Sequence, residues 1–350
     1  MKTFFCGLAA FLLTISALAQ PGAAPRGTDS ATFDPDGTAH ITRVVPIPTT
    51  ISTEAQRWLK EIDHNSPQPE ETLAERRKHT DEWRARDSAE AKRLYPVNVE
   101  ETTTAGVRTD IITPLGDANK NLVLINLHGG GFNSDSGSLI EGTPIANLAR
   151  IKVVTVYYRL APENPFPAAV DDVVAVYKDL LKTYHPRNIG IFGTSAGAIL
   201  TGEVAVKIKQ LGLPLPGALG LFSTLADFSQ PSDSQQIFAL SGFSGNVSPQ
   251  NSDHPHDEFY VGKTNPNDPV LSPLFADLHG FPPCLLVTST RDLLLSNTSL
   301  FHRALLRAGV NAQLVVFEAL PHAFWYTFQL PETKEVLQIM ADFFEQKLGK

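Results

Sequence analysis

Five consecutive residues, Gly193-Thr194-Ser195-Ala196-Gly197, fit the pattern G-x-S-x-G. A short apolar run (189–192) leads into them and an Ala-rich stretch follows. That context places Ser195 on a sharp strand-to-helix turn that needs small neighbours and exposes the hydroxyl. A serine hydroxyl is a weak nucleophile near neutral pH. It needs a base to take its proton, and the base needs an acid to orient it. In such a layout the chain order is serine, acid, histidine. His322 follows the apolar run 313–317, in Leu320-Pro321-His322-Ala323-Phe324, and is the expected base. Asp292 follows the run 284–288 and is the expected acid. Glu318 competes, but it lies four residues from His322 on the same segment, which makes it less suited to holding the imidazole from behind. The oxyanion of a tetrahedral intermediate needs backbone N–H donors. Ala196, directly after the nucleophile, supplies one. The Gly-rich loop His128-Gly129-Gly130-Gly131-Phe132, after the buried run 122–127, allows the close backbone approach that the others need. Spacing alone does not choose among its three glycines. His128 reads as architectural rather than as a second base.

These residues need a scaffold, and the texture of the chain describes one. Strands are expected at 97–104 and 107–112 (a hairpin), 122–127, 153–158, 189–192, 218–225, 284–288 and 313–317. Helices are expected at 139–150, 168–184, 195–211, 295–308 and 332–347. Apolar strands without alternation, each followed by a helix, imply a mostly parallel sheet covered on both faces. Ahead of it, residues 20–52 are rich in Pro, Gly, Thr and Ala and read as a linker or arm. Helices at 53–62 and 70–94 make residues 53–95 a helical region, the second helix so charged that a solvated face or a mobile lid is expected. Residues 96–350 form the catalytic domain, with 228–272 as an insertion over the sheet.

The 350 residues include 42% hydrophobic and 19% charged side chains, enough for a large core and too apolar for disorder. A net charge of −8 offers no basic face, so nucleic acid is not an expected partner. Two cysteines, Cys6 and Cys284, make neither a disulfide framework nor a zinc site, and Cys284 reads as a buried strand thiol. No metal and no cofactor are expected. His254-Pro255-His256-Asp257 reads as a solvated loop rather than a metal site. Asn246-Val247-Ser248 and Asn297-Thr298-Ser299 fit the glycosylation pattern, and Asp171 and Asp172 read as helix-start charges or loop anchors. Lys2, the apolar run 4–18 and Ala17-Leu18-Ala19 form a secretory signal, residues 1–19, cut before Gln20. A secreted or periplasmic product with no stable membrane insertion follows.

The combination His128-Gly129-Gly130-Gly131-Phe132, Tyr158-Arg159-Leu160-Ala161-Pro162-Glu163, Phe166-Pro167-Ala168-Ala169 with Asp171-Asp172, and Gly193-Thr194-Ser195-Ala196-Gly197, with Asp292 and His322, resembles the hormone-sensitive lipase family of α/β-hydrolases, the bacterial family IV esterases. The resemblance covers roughly residues 95–348. It implies an α/β-hydrolase fold with an N-terminal helical cap, the oxyanion donors Gly130 and Gly131 beside Ala196, and short- to medium-chain esters as substrates. Thr194 stands where many members carry Asp, and Asp292-Leu293-Leu294 replaces their D-P-L. The expected activity is that of a serine carboxylesterase acting on a small-molecule ester. The rival readings are an amidase, deacetylase or lactonase with the same triad, a ligand receptor on the same fold, and a partner-docking surface on the charged helices.

Overall fold

The computed structural model describes residues 29–62, 71–243 and 259–350. The expected signal segment, His254-Pro255-His256-Asp257 and Asn246 lie outside these residues. The chain divides into two units, one ending at Ile47 and one running from Pro48 to Lys350.

In the first unit, the stretch expected to be an unpatterned arm forms a hairpin of β1 (Ser30–Phe33) and β2 (Ala39–Thr42), with Ala31 opposite Ile41 and Phe33 opposite Ala39. The missed signal was Asp34-Pro35-Asp36-Gly37, which turns the chain with bonds from Asp34 N–H to Thr38 O and from Gly37 N–H to Asp34 O, both 2.9 Å.

The second unit opens with α1 (Thr53–Glu61), capped by the Ser52 hydroxyl, which accepts from Ala55 N–H at 3.0 Å. The helix α2 (Leu73–Leu94) begins in a capping box between Thr72 and Glu75. Then come β3 (Val97–Thr104), β4 (Val107–Pro114), β5 (Asn119–Leu127), α3 (Ser138–Ala149), β6 (Ile151–Val156), α4 (Ala168–Leu180), β7 (Ile189–Thr194), α5 (Ala196–Gln210), β8 (Ala218–Phe222), α6 (Asp233–Ile237), β9 (Cys284–Ser289), α7 (Leu295–Arg307), β10 (Ala312–Phe317) and α8 (Pro331–Lys347).

The strands β3 to β10 make one eight-stranded sheet, in the order β10-β9-β8-β7-β5-β6-β4-β3. Pairing is parallel from β10 to β6 and antiparallel where β4 meets β6 and β3. The central strands β7, β8 and β9 are buried along their whole length. That burial explains their unalternating apolar sequences, because helices cover both faces. The fold is therefore the expected α/β-hydrolase architecture. β8 is shorter than expected, ending at Phe222 rather than 225. Ser223 takes φ +57 and turns the chain off the ladder, although its N–H still donates to Val287 O at 2.7 Å. No described helix is long and apolar enough to cross a membrane.

Candidate active site

The sequence G-x-S-x-G forms the junction of β7 and α5. Ser195 adopts φ 59 and ψ −124, a conformation that is strained for a side chain with Cβ and costs on the order of 1–3 kcal/mol. The junction survives because two glycines let β5 approach it. A Cβ on Gly193 would lie 2.3 Å from the Leu127 carbonyl oxygen, and one on Gly197 would lie 1.8 Å from the same atom. The motif's glycines are thus demanded by the neighbouring strand as much as by the turn. The Ser195 N–H donates to Phe222 O at 3.0 Å and is not available to a substrate. Ala196 N–H is one of the first amides of α5, which have no intrahelical acceptor and sit at the positive end of the helix dipole. The Ser195 side chain is partly exposed at the tip of the turn.

The expected acid and base follow adjacent strands. Asp292 follows β9 and His322 follows β10, and the parallel pairing brings the two loops side by side at one sheet edge. His322 Nδ1 and Asp292 Oδ1 are 2.9 Å apart, with both side chains almost fully buried. Asp292 Oδ1 also accepts from Leu294 N–H at 2.9 Å, and Oδ2 accepts from the hydroxyls of Thr288 at 2.9 Å and Ser223 at 2.5 Å. Burial alone would raise the carboxyl's pKa. The charge of His322, its hydrogen bond, and those from Ser223 and Leu294 outweigh burial and hold Asp292 below its ordinary value, so it stays ionised. With Nδ1 turned to Asp292, Nε2 is the imidazole nitrogen left to take a proton. The competitor Glu318 is committed elsewhere, accepting from the Thr50 hydroxyl.

Ser223 is the residue that sequence reasoning missed. Its oxygen lies 2.7 Å from His322 Nδ1 as well as beside Asp292 Oδ2, so it braces both partners. A serine at the end of a buried strand carries no local signature of this. Only the kink after Phe222 aims it at a loop 99 residues away.

The loop after β5 approaches the elbow from the other side. Gly130 has φ +110, and a Cβ there would meet Ser134 O at 2.2 Å. Its carbonyl accepts from the N–H groups of Asn133 and Ser134, both at 3.1 Å, which curls the loop. The amides of Gly130 and Gly131 donate to no acceptor among the described residues. They are therefore open to an oxyanion, as is the amide of Ala196. His128 is 1% exposed, stacked on Tyr158 at 4.2 Å, and its carbonyl accepts from the Tyr158 hydroxyl at 2.6 Å. It braces the loop, as expected of an architectural residue.

The second motif locks that loop down. Ala161 N–H donates to Phe132 O at 2.9 Å. Arg159 and Asp172 pair at 2.8 Å, so Asp172 is a loop anchor. The helix α2 is largely exposed, with only Ser88 and Ala91 buried, but two of its arginines reach inward. Its Arg77 donates to Asn133 O at 2.7 Å and Ala161 O at 3.0 Å, and grips Glu163 with two bonds of 2.7 Å. The Arg77 hydrogen bonds draw the Glu163 carboxyl down to about 2. Arg84, also on α2, pairs with Asp135 at 3.0 Å. These two arginines of α2 thus point at the Gly-rich loop.

Other candidates resolve simply. Cys284 is fully buried, and burial pushes its thiol up, as suits a strand thiol. Asn297 is 1% exposed in α7, so folded protein does not offer it for glycosylation. Among the described residues, no group of three or more His, Cys, Asp or Glu is arranged to hold a metal ion.

Residues 124–326 match a family model described as the alpha/beta hydrolase fold. An acetyl-hydrolase of Streptomyces hygroscopicus is 30% identical over 240 residues, covering 65% of this chain and 76% of that protein. The crystal structure of esterase E25 superimposes with a TM-score of 0.77 at 31% identity, covering 88% of this chain and 98% of that one. A crystal structure of an esterase from the bacterial hormone-sensitive lipase family gives 0.73 at 30% identity, covering 85% and 99%.

Proposed function

The chain belongs to the hormone-sensitive lipase family of α/β-hydrolases and is a carboxylic ester hydrolase; from that premise we propose that it cleaves short- to medium-chain esters through a serine acyl-enzyme. The observation that carries the mechanism is the buried Asp292–His322 hydrogen bond, on loops at the same sheet edge as the Ser195 elbow. In this reading Ser195 Oγ attacks the ester carbonyl while His322 Nε2 takes its proton. The carbonyl oxygen becomes an oxyanion held by the amides of Gly130, Gly131 and Ala196. Asp292 fixes the imidazole tautomer and stabilises the imidazolium. Collapse of the intermediate expels the alcohol, which receives the proton from His322. Water, deprotonated by the same nitrogen, then releases the acid and frees Ser195. The helices α1 and α2 serve as the cap in this reading, with α2 also buttressing the oxyanion loop through Arg77.

The test is a p-nitrophenyl ester series from acetate to palmitate. The expected result is the highest kcat/KM on short acyl chains, with a steep fall toward palmitate. A protein inert on the whole series, yet active on the matching anilides, would move the reading to an amidase.

Export is part of the proposal and rests on residues 1–19, with Lys2, the apolar run and Ala17-Leu18-Ala19. Protein recovered from outside the cytoplasm of an expressing cell should begin at Gln20. An intact Met1 terminus on cytoplasmic protein would refute export.

A further inference from the structure

A buried carboxyl that the mechanism does not use sits behind the site. Glu141, on α3, is 1% exposed, and no ion pair reaches it among the described residues. Its Oε2 accepts from Asn126 Nδ2 at 3.0 Å, and its Oε1 is hydrogen-bonded to the Thr194 hydroxyl. The Thr194 oxygen also accepts from the Trp325 indole N–H at 3.0 Å. Asn126 Oδ1 in turn accepts from the Thr155 hydroxyl at 3.3 Å. Thr194, Asn126, Thr155 and Trp325 are all at most 1% exposed.

The positions of these residues along the chain give the cluster its meaning. Asn126 lies two residues before the Gly-rich loop, and Glu141 lies on the helix that leaves it. Thr194 is bonded directly to Ser195, and Trp325 stands three residues after His322. One carboxyl therefore joins the segments that carry the oxyanion donors, the nucleophile and the base. We propose that Glu141 is a positioning residue for ester hydrolysis: its carboxyl fixes Thr194 and, through Thr194, Trp325, and so sets the Ser195 hydroxyl against the His322 imidazole. The inference rests on the serine reading above.

The charge state follows from the surroundings. Burial pushes the Glu141 carboxyl up to about 8, against the lowering pull of the bonds from Thr194 and Asn126. Among the described residues the titratable group that faces it is the Tyr326 phenol, itself driven well above its ordinary range by burial; Asn126, Thr155, Thr194 and Trp325 do not titrate. At neutral pH Glu141 is thus a carboxylic acid. A carboxyl–hydroxyl pair admits either donor. In the ionised form the Thr194 hydroxyl donates to Oε1; in the proposed neutral form Oε1–H donates to the Thr194 oxygen instead, and Oε2 accepts from Asn126 in both. Glutamine reproduces that pattern, its amide nitrogen donating to Thr194 and its oxygen accepting from Asn126. As pH rises through about 8, wild type loses the acid's donor and gains an unpaired buried charge.

The experiment measures kcat and KM on p-nitrophenyl butyrate from pH 6 to 10, with a thermal melt for each variant of the full chain. Glu141→Ala is expected to lower kcat at least about tenfold at nearly constant KM, the pattern of an interaction made only in the transition state. Glu141→Gln is expected to keep wild-type kcat at pH 7 and to lack the wild-type decline above pH 8. Trp325→Phe removes the indole N–H together with part of a buried ring, and is expected to lower kcat while the melting temperature falls by only a few degrees and the chain still folds. It decides the matter if Glu141→Ala does not fold. Wild-type kcat in Trp325→Phe, wild-type kcat in Glu141→Ala, or a Glu141→Gln variant as impaired as Glu141→Ala, each overturns the proposal. Ser195→Ala, run alongside, is expected to be inert. A Ser195→Ala enzyme as active as wild type would overturn the serine reading as well, whereas failure of the Glu141 inference alone leaves Ser195→Ala inert.

Discussion

Replacing Ser195 by alanine is expected to reduce kcat on a p-nitrophenyl ester by a factor of about 10⁶, the scale on which losing the nucleophile of a serine–histidine–aspartate triad operates. Folding should survive the change. The Ser195 side chain makes no hydrogen bond among the described residues, and the strained turn is held by backbone contacts: Ser195 N–H to Phe222 O, and the two glycines against Leu127 O. Alanine meets the same positive φ as serine, so the melting temperature should move little. The diagnostic combination is a collapsed kcat with a native melt and unimpaired binding of a non-hydrolysable ester analogue. More than about 1% residual activity, once contaminating enzyme is excluded, would mean that the hydroxyl is not the attacking group. His322→Ala should match this loss rather than add to it in the double variant, because nucleophile and base act as a unit.

The second large effect concerns the acid. Asp292→Asn is expected to lower kcat by about 10⁴ at neutral pH, since the amide can donate to Nδ1 and favour the tautomer that carries its proton on Nε2, where the base must accept one. This site adds a feature that bears on the residue left behind. Ser223 Oγ lies 2.7 Å from the same Nδ1, slightly nearer than Asp292 Oδ1 at 2.9 Å. In Asp292→Asn it remains as an acceptor for Nδ1–H, so removing it as well should cost a further several-fold. If Ser223→Ala changes nothing when added to Asp292→Asn, Ser223 braces the loop without sharing the imidazole proton.

The sign of the pH effect also follows from Asp292. Its folded pKa is depressed below the ordinary 3.8. The stability contributed by the ionised carboxylate is therefore present above that ordinary value and is lost as pH falls through the folded one. Across the neutral range the acid stays charged, so titration of Asp292 is not a source of activity loss there.

Much of this arrangement was legible in the residues themselves. The turn at Ser195 could be read because a serine on a sharp strand-to-helix turn imposes small neighbours at fixed offsets, and such offsets are local. The parallel sheet could be read because strands buried on both faces lose their alternation, as in β7, β8 and β9. His322 and Asp292 could be chosen by type and order, each just beyond an apolar run. The hairpin at Ser30–Thr42 was overlooked because its two strands are four residues long and wholly exposed, leaving no burial pattern to detect.

Turn sterics and strand burial act over a few neighbouring positions, so the residue types at the turns, and their order, are written along the chain. Tertiary structure alone decided which distant side chains meet. Glu318 and Asp292 both lie just beyond apolar runs in the sequence, yet β9 beside β10 delivers Asp292 to His322 and leaves Glu318 bonded to Thr50. The same applies to Ser223, to Arg77 on a helix that reads as solvated, and to Glu141 among Asn126, Thr194 and Trp325. A hydrogen bond needs its partners within about 3 Å of each other. Only the packing of separate strands and helices sets such a distance between residues tens of positions apart.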